Sequence, residues 1–152
     1  MQGATANGST TIRRAQVADA PSVHAILLAA RHEIPLAENF ADQAHQDWVR
    51  GQCRRRNVWV ADRGGAIAGV MVLAVNEIFY LAVSQPGRRQ GIGRVLVQFA
   101  LAYIKRRRWG GAKAKTREGN AAVISLLLSL GFKPAPDLVA APGWQVFSWG
   151  SA

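Results

Sequence analysis

The stretch QPGRRQGIGRVL at 85–96 constrains the fold of this chain more than any other. It lies between an apolar strand candidate, EIFYLAV at 77–83, and a segment whose apolar residues recur with helical spacing. Its glycines, Gly87, Gly91 and Gly93, stand just before that helix. A helix N-terminus offers backbone N–H groups to an anion, and a residue without Cβ lets a phosphate approach the backbone closely. The stretch therefore predicts a strand, a phosphate-binding turn and a helix in succession.

The spacing of the glycines excludes two common phosphate loops. A Walker A loop that starts at Gly87 requires glycine at the position of Ile92, and no Gly-Lys-Ser or Gly-Lys-Thr follows. A dinucleotide fingerprint that starts at Gly91 places its third small residue at Leu96. From the loop residues alone, a plain strand-to-helix turn stays open beside an anion site.

The remaining pattern predicts one α+β domain. Strands are predicted at 11–15, 58–62, 66–75, 77–83, 112–116, 137–140 and 144–149. Helices are predicted after Asp19, at 38–56, from the glycine stretch to about Trp109, and from Asn120 to Gly131. Short turns between 58 and 83 predict an antiparallel meander in a mixed sheet with helices on its faces. The length of 152 residues suits a single domain at 11–152, preceded by a mobile tail at 1–10.

The net charge of +10 favours anionic partners. Two basic runs, at 54–56 and 105–108, supply much of that charge. Cations at the end of a helix complement its dipole, and recognition of nucleic acid usually comes with a further motif. Solvated helix ends are therefore the favoured interpretation of the runs, and a nucleic-acid surface is disfavoured.

Membrane, disulfide and zinc patterns are not found in the sequence. The longest apolar run, at 66–75, is about half of the ~20 residues that a membrane helix needs, and the start of the chain lacks a signal-peptide pattern. The single cysteine, Cys53, can form neither an internal disulfide nor a zinc site of the usual kind. We therefore expect a cytoplasmic protein with no metal and no membrane partner.

Four segments, taken together and in order, resemble the GNAT superfamily of N-acetyltransferases. Arg88-x-x-Gly91-x-Gly93, between a strand and a helix, resembles the acetyl-CoA loop of that family. The other three segments are IRRAQVADAPSVHAIL, VWVADRGGAIAGVMVL and GNAAVISLLLSLGFKP, which resemble its opening strand and helix, its next two strands, and its late asparagine-headed helix. The resemblance implies a largely antiparallel mixed sheet, flanked by helices and splayed at the strand before the glycine loop. It also implies transfer of an acetyl group from acetyl-CoA to a primary amine by direct attack in a ternary complex.

The resemblance implies how acetyl-CoA would be held. The pantetheine arm would pair with the backbone of 81–83, where the strand splays at a bulge, and a backbone N–H there would stabilise the oxyanion. Amides from 88 to 94 would hold the pyrophosphate, with positive charge from Arg88, Arg89 and Arg94. The implied cofactor residues are Leu81, Ala82, Val83, Arg88, Arg89, Gln90, Gly91, Ile92, Gly93, Arg94, Asn120 and Leu127.

The acid–base groups are the next expectation. The attacking amine must lose a proton, and Glu77 is the candidate general base, with a solvent-exposed turn glutamate as the equal alternative. The family commonly has a tyrosine seven residues after the asparagine as general acid, and here that position is Leu127. Leu127 is expected on the same helix face as Asn120, where it can pack against pantetheine without donating a proton. Acceptor-side and acid candidates of weaker pattern are His32, Glu33, Asp42, His45, Asp47, Tyr80, Ser84 and Ser125.

Two other functions stay open from the sequence. Loss of the tyrosine suggests a CoA-binding regulatory domain with weak catalysis, and the basic runs suggest a protein associated with nucleic acid. The predicted partner of the first choice is a small-molecule or peptide amine, and a homodimer stays open.

Overall fold

The computed structural model describes residues 9–31, 43–88, 90–138 and 140–150. Its strands are β1 (Thr11–Arg14), β2 (Val58–Arg63), β3 (Ala66–Ala74), β4 (Glu77–Val83), β5 (Gly111–Arg117), β6 (Lys133–Pro134) and β7 (Trp144–Gly150). Its α-helices are α1 (Ala20–Ala29), α2 (Gln43–Arg54), α3 (Ile92–Arg107) and α4 (Ala121–Ser129). Most of the tail predicted at 1–10 lies outside the described residues.

The described strands form one mixed sheet in the order β1-β2-β3-β4-β5-β7-β6. Strands β4 and β5 are parallel, with α3 as the crossover between them, and the other neighbours are antiparallel. The predicted meander of β2, β3 and β4 is confirmed, and so is the predicted α+β class with a largely antiparallel mixed sheet.

Each face of the sheet carries its own core. On one face α3 packs with its buried side chains Leu96, Val97 and Ile104. On the other face α1 and α2 pack with buried residues such as Leu27 and Val49. The start of α3 lies against β3, because a Cβ on Gly69 would come within 2.7 Å of Ile92 Cγ2. Glycine at that position therefore seats the loop before α3 against the sheet.

The prediction of a strand at 137–140 is wrong for the residues of this range that the structure describes. The sheet edge is formed earlier, by Lys133 and Pro134, which pair with Ser148 and Phe147 of β7. Proline has no N–H to donate, so it suits an edge strand, and a strand of two residues leaves no alternating pattern to detect. The predicted helix at 38–56 is described from Gln43 onward, and 38–42 lie outside the described residues.

Three helices end in the same type of turn, whose last residue has a left-handed backbone. At the end of α4 that residue is Gly131, with φ of 95°, whereas α2 and α3 end on Arg56, with φ of 64°, and Arg108, with φ of 58°. In each turn the next N–H bonds to a carbonyl five residues back: Asn57 to Gln52, Trp109 to Ile104, and Phe132 to Leu127. A left-handed conformation is unfavourable by roughly 1–2 kcal/mol for a residue with a Cβ. Arginine at two of these three turns is therefore strained.

Replacing either strained arginine by glycine should stabilise the protein. We expect Arg56→Gly and Arg108→Gly each to raise the free energy of unfolding by about 0.5–1 kcal/mol, because relief of strain exceeds the added flexibility of the unfolded chain. Urea unfolding midpoints measure the effect. Arg55→Gly is the matched control, since Arg55 is an exposed neighbour without a positive φ. An equal gain from Arg55→Gly would contradict the backbone explanation.

Candidate functional site

The site begins where β4 and β5 separate. The parallel register of these strands holds at Glu77 with Lys113 and at Ile78 with Ala114, both at the start of β4. On its other edge β4 pairs with β3 as far as Val83, with a register shift near Leu73 that bends the strand. Residues 81–83 therefore pair with β3 on one side and face an opening on the other, and the predicted splay is confirmed.

A cavity of about 410 Å³ occupies this opening. One wall is the end of β4, another is the glycine loop with the first turn of α3, and the third is the start of α4. The lining residues are Leu81, Ala82, Val83, Gly87, Arg88, Gly91, Ile92, Gly93, Arg94, Ala122, Val123 and Leu126. The structure thus brings together most of the residues predicted for the cofactor.

The glycines give the second wall its shape. Gly91 is the N-cap of α3 and has φ of 77°, a conformation that glycine adopts without strain. A Cβ on Gly93 would come within 3.4 Å of Leu126 Cδ2 and 3.8 Å of Val83 Cγ2, so Gly93 keeps the space between β4 and α4 open. The first N–H groups of a helix have no acceptor within the helix. This wall therefore offers donors to an anion.

Two cavity-lining arginines are oriented by neighbouring groups. Arg88 Nε donates to the carbonyl of Val83 at 3.4 Å. Arg94 Nη2 donates to Ser129 Oγ at 2.8 Å. The guanidinium groups thus lie at both ends of the glycine loop and make this side of the cavity positive.

The loop residue Gln90 is placed differently from these two arginines. Gln90 is exposed and is not among the lining residues, and its side chain donates to the carbonyl of Pro86 at 3.1 Å and accepts from Arg63 Nη1. Arg89 lies outside the described residues.

Two residues predicted for the cofactor belong to α4 and its N-cap. Asn120 is the N-cap of α4, and its Oδ1 accepts from the Val123 N–H at 3.3 Å. Leu127 is 1% exposed and packs in the core, and it is not among the cavity-lining residues, so its contact with pantetheine stays a prediction. The lining residues of α4 are Ala122, Val123 and Leu126, and Val123 stands one helical turn before Leu127.

The candidate base Glu77 is at the opposite end of β4. Its Oε2 lies 3.3 Å from Lys115 Nζ, and the side chain of Glu77 is 21% exposed. The same ammonium lies 5.6 Å from the ring centroid of Phe79. Phe79 and Tyr80 belong to the core on the α1–α2 face, whereas Leu81 packs on the α3 face. Glu77 is therefore grouped with the aromatic face and is not part of the cavity lining.

A row of rings crosses that second face. His24 and His45 have centroids 5.5 Å apart, His45 and Trp48 5.5 Å, and Trp48 and Tyr80 5.3 Å. Burial raises the pKa of Tyr80 to about 12, so its phenol stays protonated in neutral solution. Sequence reasoning missed Trp48, because a tryptophan on an amphipathic helix looks like an ordinary core residue.

The other acceptor-side predictions have simpler surroundings. Asp47 is exposed, pairs with Arg50 at 3.1 Å and accepts from Gln43 Nε2 at 3.0 Å. A separate hollow of about 320 Å³ lies between α1 and α2, with His24 and Arg50 in its lining. Three predicted residues lie outside the described residues: His32, Glu33 and Asp42.

The described residues show neither a grouping of metal ligands nor a membrane-spanning helix. Within 9–31, 43–88, 90–138 and 140–150, no three His, Cys, Asp or Glu side chains are grouped so that they could hold a metal ion. None of the helices in the same ranges has the length and apolar character to cross a membrane.

Known proteins are similar to this chain in sequence and in fold. The model of the acetyltransferase (GNAT) family matches residues 21–132. The chain belongs to the GNAT family.

Two curated relatives are N-acetyltransferases. The [ribosomal protein bS18]-alanine N-acetyltransferase of Escherichia coli (strain K12) is 31% identical over 126 residues, which are 82% of this chain and 82% of that protein. N-acetyltransferase 8F1 of Mus musculus is 25% identical over 108 residues, which are 64% of this chain. The match covers 47% of the mouse protein, about half of its length.

A solved structure confirms the fold. The PaiA N-acetyltransferase of Thermoplasma acidophilum, in complex with coenzyme A, has a TM-score of 0.76 at 13% identity, and the match covers 93% of this chain and 99% of that one. The predicted acetyl-CoA-dependent N-acetyltransferase, with acetyl-CoA as the acetyl donor, is confirmed at the level of the family.

Proposed function

We propose that acetyl-CoA binds in the 410 Å³ cavity and that its acetyl group reaches an amine through the gap between β4 and β5. The observation that carries this proposal is the separation of the two strands after Ile78, which leaves an edge of β4 beside a cavity whose other wall is a helix N-terminus. An extended amide chain such as pantetheine can pair with that edge, while a pyrophosphate takes the N–H groups of the glycine loop. Arg88 and Arg94 add charge to that end.

The chemistry follows from this arrangement. The amine nitrogen attacks the thioester carbonyl carbon, the C–S bond breaks, and the CoA thiolate leaves. A backbone N–H of 81–83 that faces the opening would donate to the oxyanion of the tetrahedral intermediate. A thiol has a pKa of about 8.5, so the thiolate can leave before it is protonated and can then take a proton from solvent. This step tolerates leucine at position 127.

The acceptor that we propose is the α-amine of a protein N-terminus. The bacterial relative at 31% identity is named for an alanine of a ribosomal protein. An α-amine has a pKa of about 7.7–8.0, against about 10.4 for a lysine side chain, so a useful fraction is neutral near pH 7. Such an acceptor suits a site whose carboxylate, Glu77, is already paired with Lys115 at 3.3 Å.

Glu77 is the proposed acceptor of the remaining proton. It shares a strand with 81–83 but belongs to the aromatic face, so an amine that enters from the α1–α2 side would meet the carboxylate and the thioester from the same direction. A chain of waters along β4 would carry the proton from the amine to Glu77. The carboxylate of Glu77 would then accept the proton while it lies beside the ammonium group of Lys115.

The compartment that we propose is the cytoplasm. Cys53 is free and buried in α2, and burial raises the pKa of its thiol, which keeps the thiol unreactive. A buried, inert thiol fits a reducing compartment.

The first prediction tests the cavity. Acetyl-CoA at about 100 times its Kd should raise the Tm by about 5–10 °C, and Gly93→Val should abolish the rise because its methyl groups would fill the space beside Leu126 and Val83. Thermal unfolding with and without ligand measures this. Gly51→Val is the control, since no atom lies within 4 Å of a Cβ at that position. A ligand-induced rise that survives in Gly93→Val would rule the cavity out.

The second prediction concerns the acceptor. An octapeptide that begins with a free alanine should release CoA thiol at least tenfold faster than the same peptide with an acetylated N-terminus and an internal lysine. A thiol-release assay at pH 7.5 measures both rates. Equal rates would reject the α-amine, and binding without release from any amine would favour the regulatory function.

The third prediction concerns Glu77. Glu77→Gln should lower kcat by roughly 10²-fold with the alanine peptide, while acetyl-CoA still raises the Tm as in the unmodified protein. The loss should shrink as pH rises, because solvent then deprotonates the amine. Glu118→Gln removes an exposed carboxylate elsewhere and should leave kcat unchanged. A loss in Glu77→Gln that is the same at every pH would make Glu77 structural.

A further inference from the structure

The two basic runs, far apart in the sequence, lie at the same end of the sheet, beside the turn from β3 to β4. The carbonyl of Asn57, next to the first run, accepts from the Leu73 N–H, and the carbonyl of Gly111, three residues after the second run, accepts from Asn76 Nδ2. Arg14 ends β1, and its guanidinium lies 4.6 Å from the ring centroid of Trp59 and 2.7 Å from Tyr103 Oη. Trp59 follows the run at 54–56 by three residues, and Tyr103 precedes the run at 105–108 by two. We call this surface the basic edge: it comprises Arg14, Arg54, Arg55, Arg56, Tyr103, Lys105, Arg106, Arg107, Arg108 and Trp109.

Rings and guanidinium groups alternate along the basic edge. Arg107 lies 5.1 Å from the ring centroid of Tyr103 and 5.7 Å from that of Trp109, and it donates to Tyr103 Oη at 2.9 Å. Tyr103 and Trp109 pack edge to face at 5.9 Å. The indole of Trp109 is 37% exposed. A partly exposed indole ring therefore lies among cations.

The charge of the basic edge is not neutralised within the part of the chain that the structure describes. All seven residues of the two runs are exposed. The carboxylates Asp19, Asp47, Asp62 and Glu77 pair elsewhere, with Arg13, Arg50 and Lys115. This edge is therefore positive and open to a ligand.

Backbone strain at both runs argues that the charge has a use. Arg56 and Arg108 each occupy the left-handed position of a helix end, where α4 has Gly131. Cations in the last turn of a helix complement its dipole, which accounts for Lys105 and its neighbours. The dipole does not explain why both left-handed positions carry arginine, since glycine would be more stable there.

We propose that the basic edge binds single-stranded nucleic acid, with phosphates along the two runs and a base stacked on Trp109. Single strands are held in this way by a basic track and exposed aromatic faces. An anionic membrane or an acidic protein would need only the charge. The cofactor cavity is at the other end of α3, which has 16 residues and is therefore about 24 Å long, so both ligands can be bound together.

Binding is measured by fluorescence anisotropy with labelled twelve-residue oligo-U RNA and oligo-dT DNA between 50 and 300 mM salt. We expect binding to both oligonucleotides, with log K falling linearly as log salt concentration rises. In the double variant Arg56→Gly/Arg108→Gly this slope should be shallower by about 1.4, because two phosphate contacts at ~0.7 each are lost. This variant should also have a higher Tm, so weaker binding cannot be ascribed to unfolding. Arg31→Gly/Lys133→Gly removes the same charge elsewhere and should keep the slope.

The aromatic part of the proposal is tested with Trp109→Ala. This variant should bind both oligonucleotides at least about fivefold more weakly, and it should bind heparin, which has charge but no bases, as the unmodified protein does. Binding of RNA alone would narrow the ligand to RNA within the proposal. Four results would each overturn the proposal. The first two are no binding at 50 mM salt and an equal loss of slope in the control variant. The other two are equal losses for heparin and oligonucleotides in Trp109→Ala, and tighter binding to phosphatidylserine vesicles than to either oligonucleotide.

Discussion

The separation of β4 from β5 is the constraint on which the site depends. A strand in the middle of a sheet normally has its backbone donors and acceptors paired on both sides, and each unpaired group must find another partner. Here the parallel pairing ends at Ile78, while β3 continues to hold β4 as far as Val83. The result is a strand that is rigid along one edge and available along the other. An extended ligand with amide groups is the natural partner for such an edge.

Rigidity of that edge comes from both faces of the sheet. Gly69 lets α3 approach β3 closely, and this fixes the helix N-terminus beside the end of β4. On the other face Trp48 packs against Tyr80, where the strand bends. Cofactor and acceptor can therefore approach one strand from opposite sides without competing for the same space.

The sequence was sufficient to predict the order of the main elements and the glycine loop, because each has a strong local signal. The splayed sheet was implied by the resemblance to the family. The sequence was insufficient where placement depends on phase or on partners far along the chain. Leu127 was expected to face the cofactor; it is buried in the core, and the neighbouring Leu126 lines the cavity. The edge strand at Lys133 was missed because two residues carry no pattern. Trp48 acquires a role only through Tyr80, which lies on another element.

The basic runs illustrate the same limit. Each run alone is explained by the dipole of the helix that it ends, and this made a nucleic-acid surface the weaker interpretation of the sequence. The structure places both runs at the same end of the sheet, with Arg14 between Trp59, which follows the first run, and Tyr103, which precedes the second. The effect of a helix dipole is confined to its own helix and falls off within the last turn. It therefore does not explain why two helices on opposite faces of the sheet both end at the basic edge. A ligand that spans both helix ends does account for it, and a polyanion is the ligand that their charge selects.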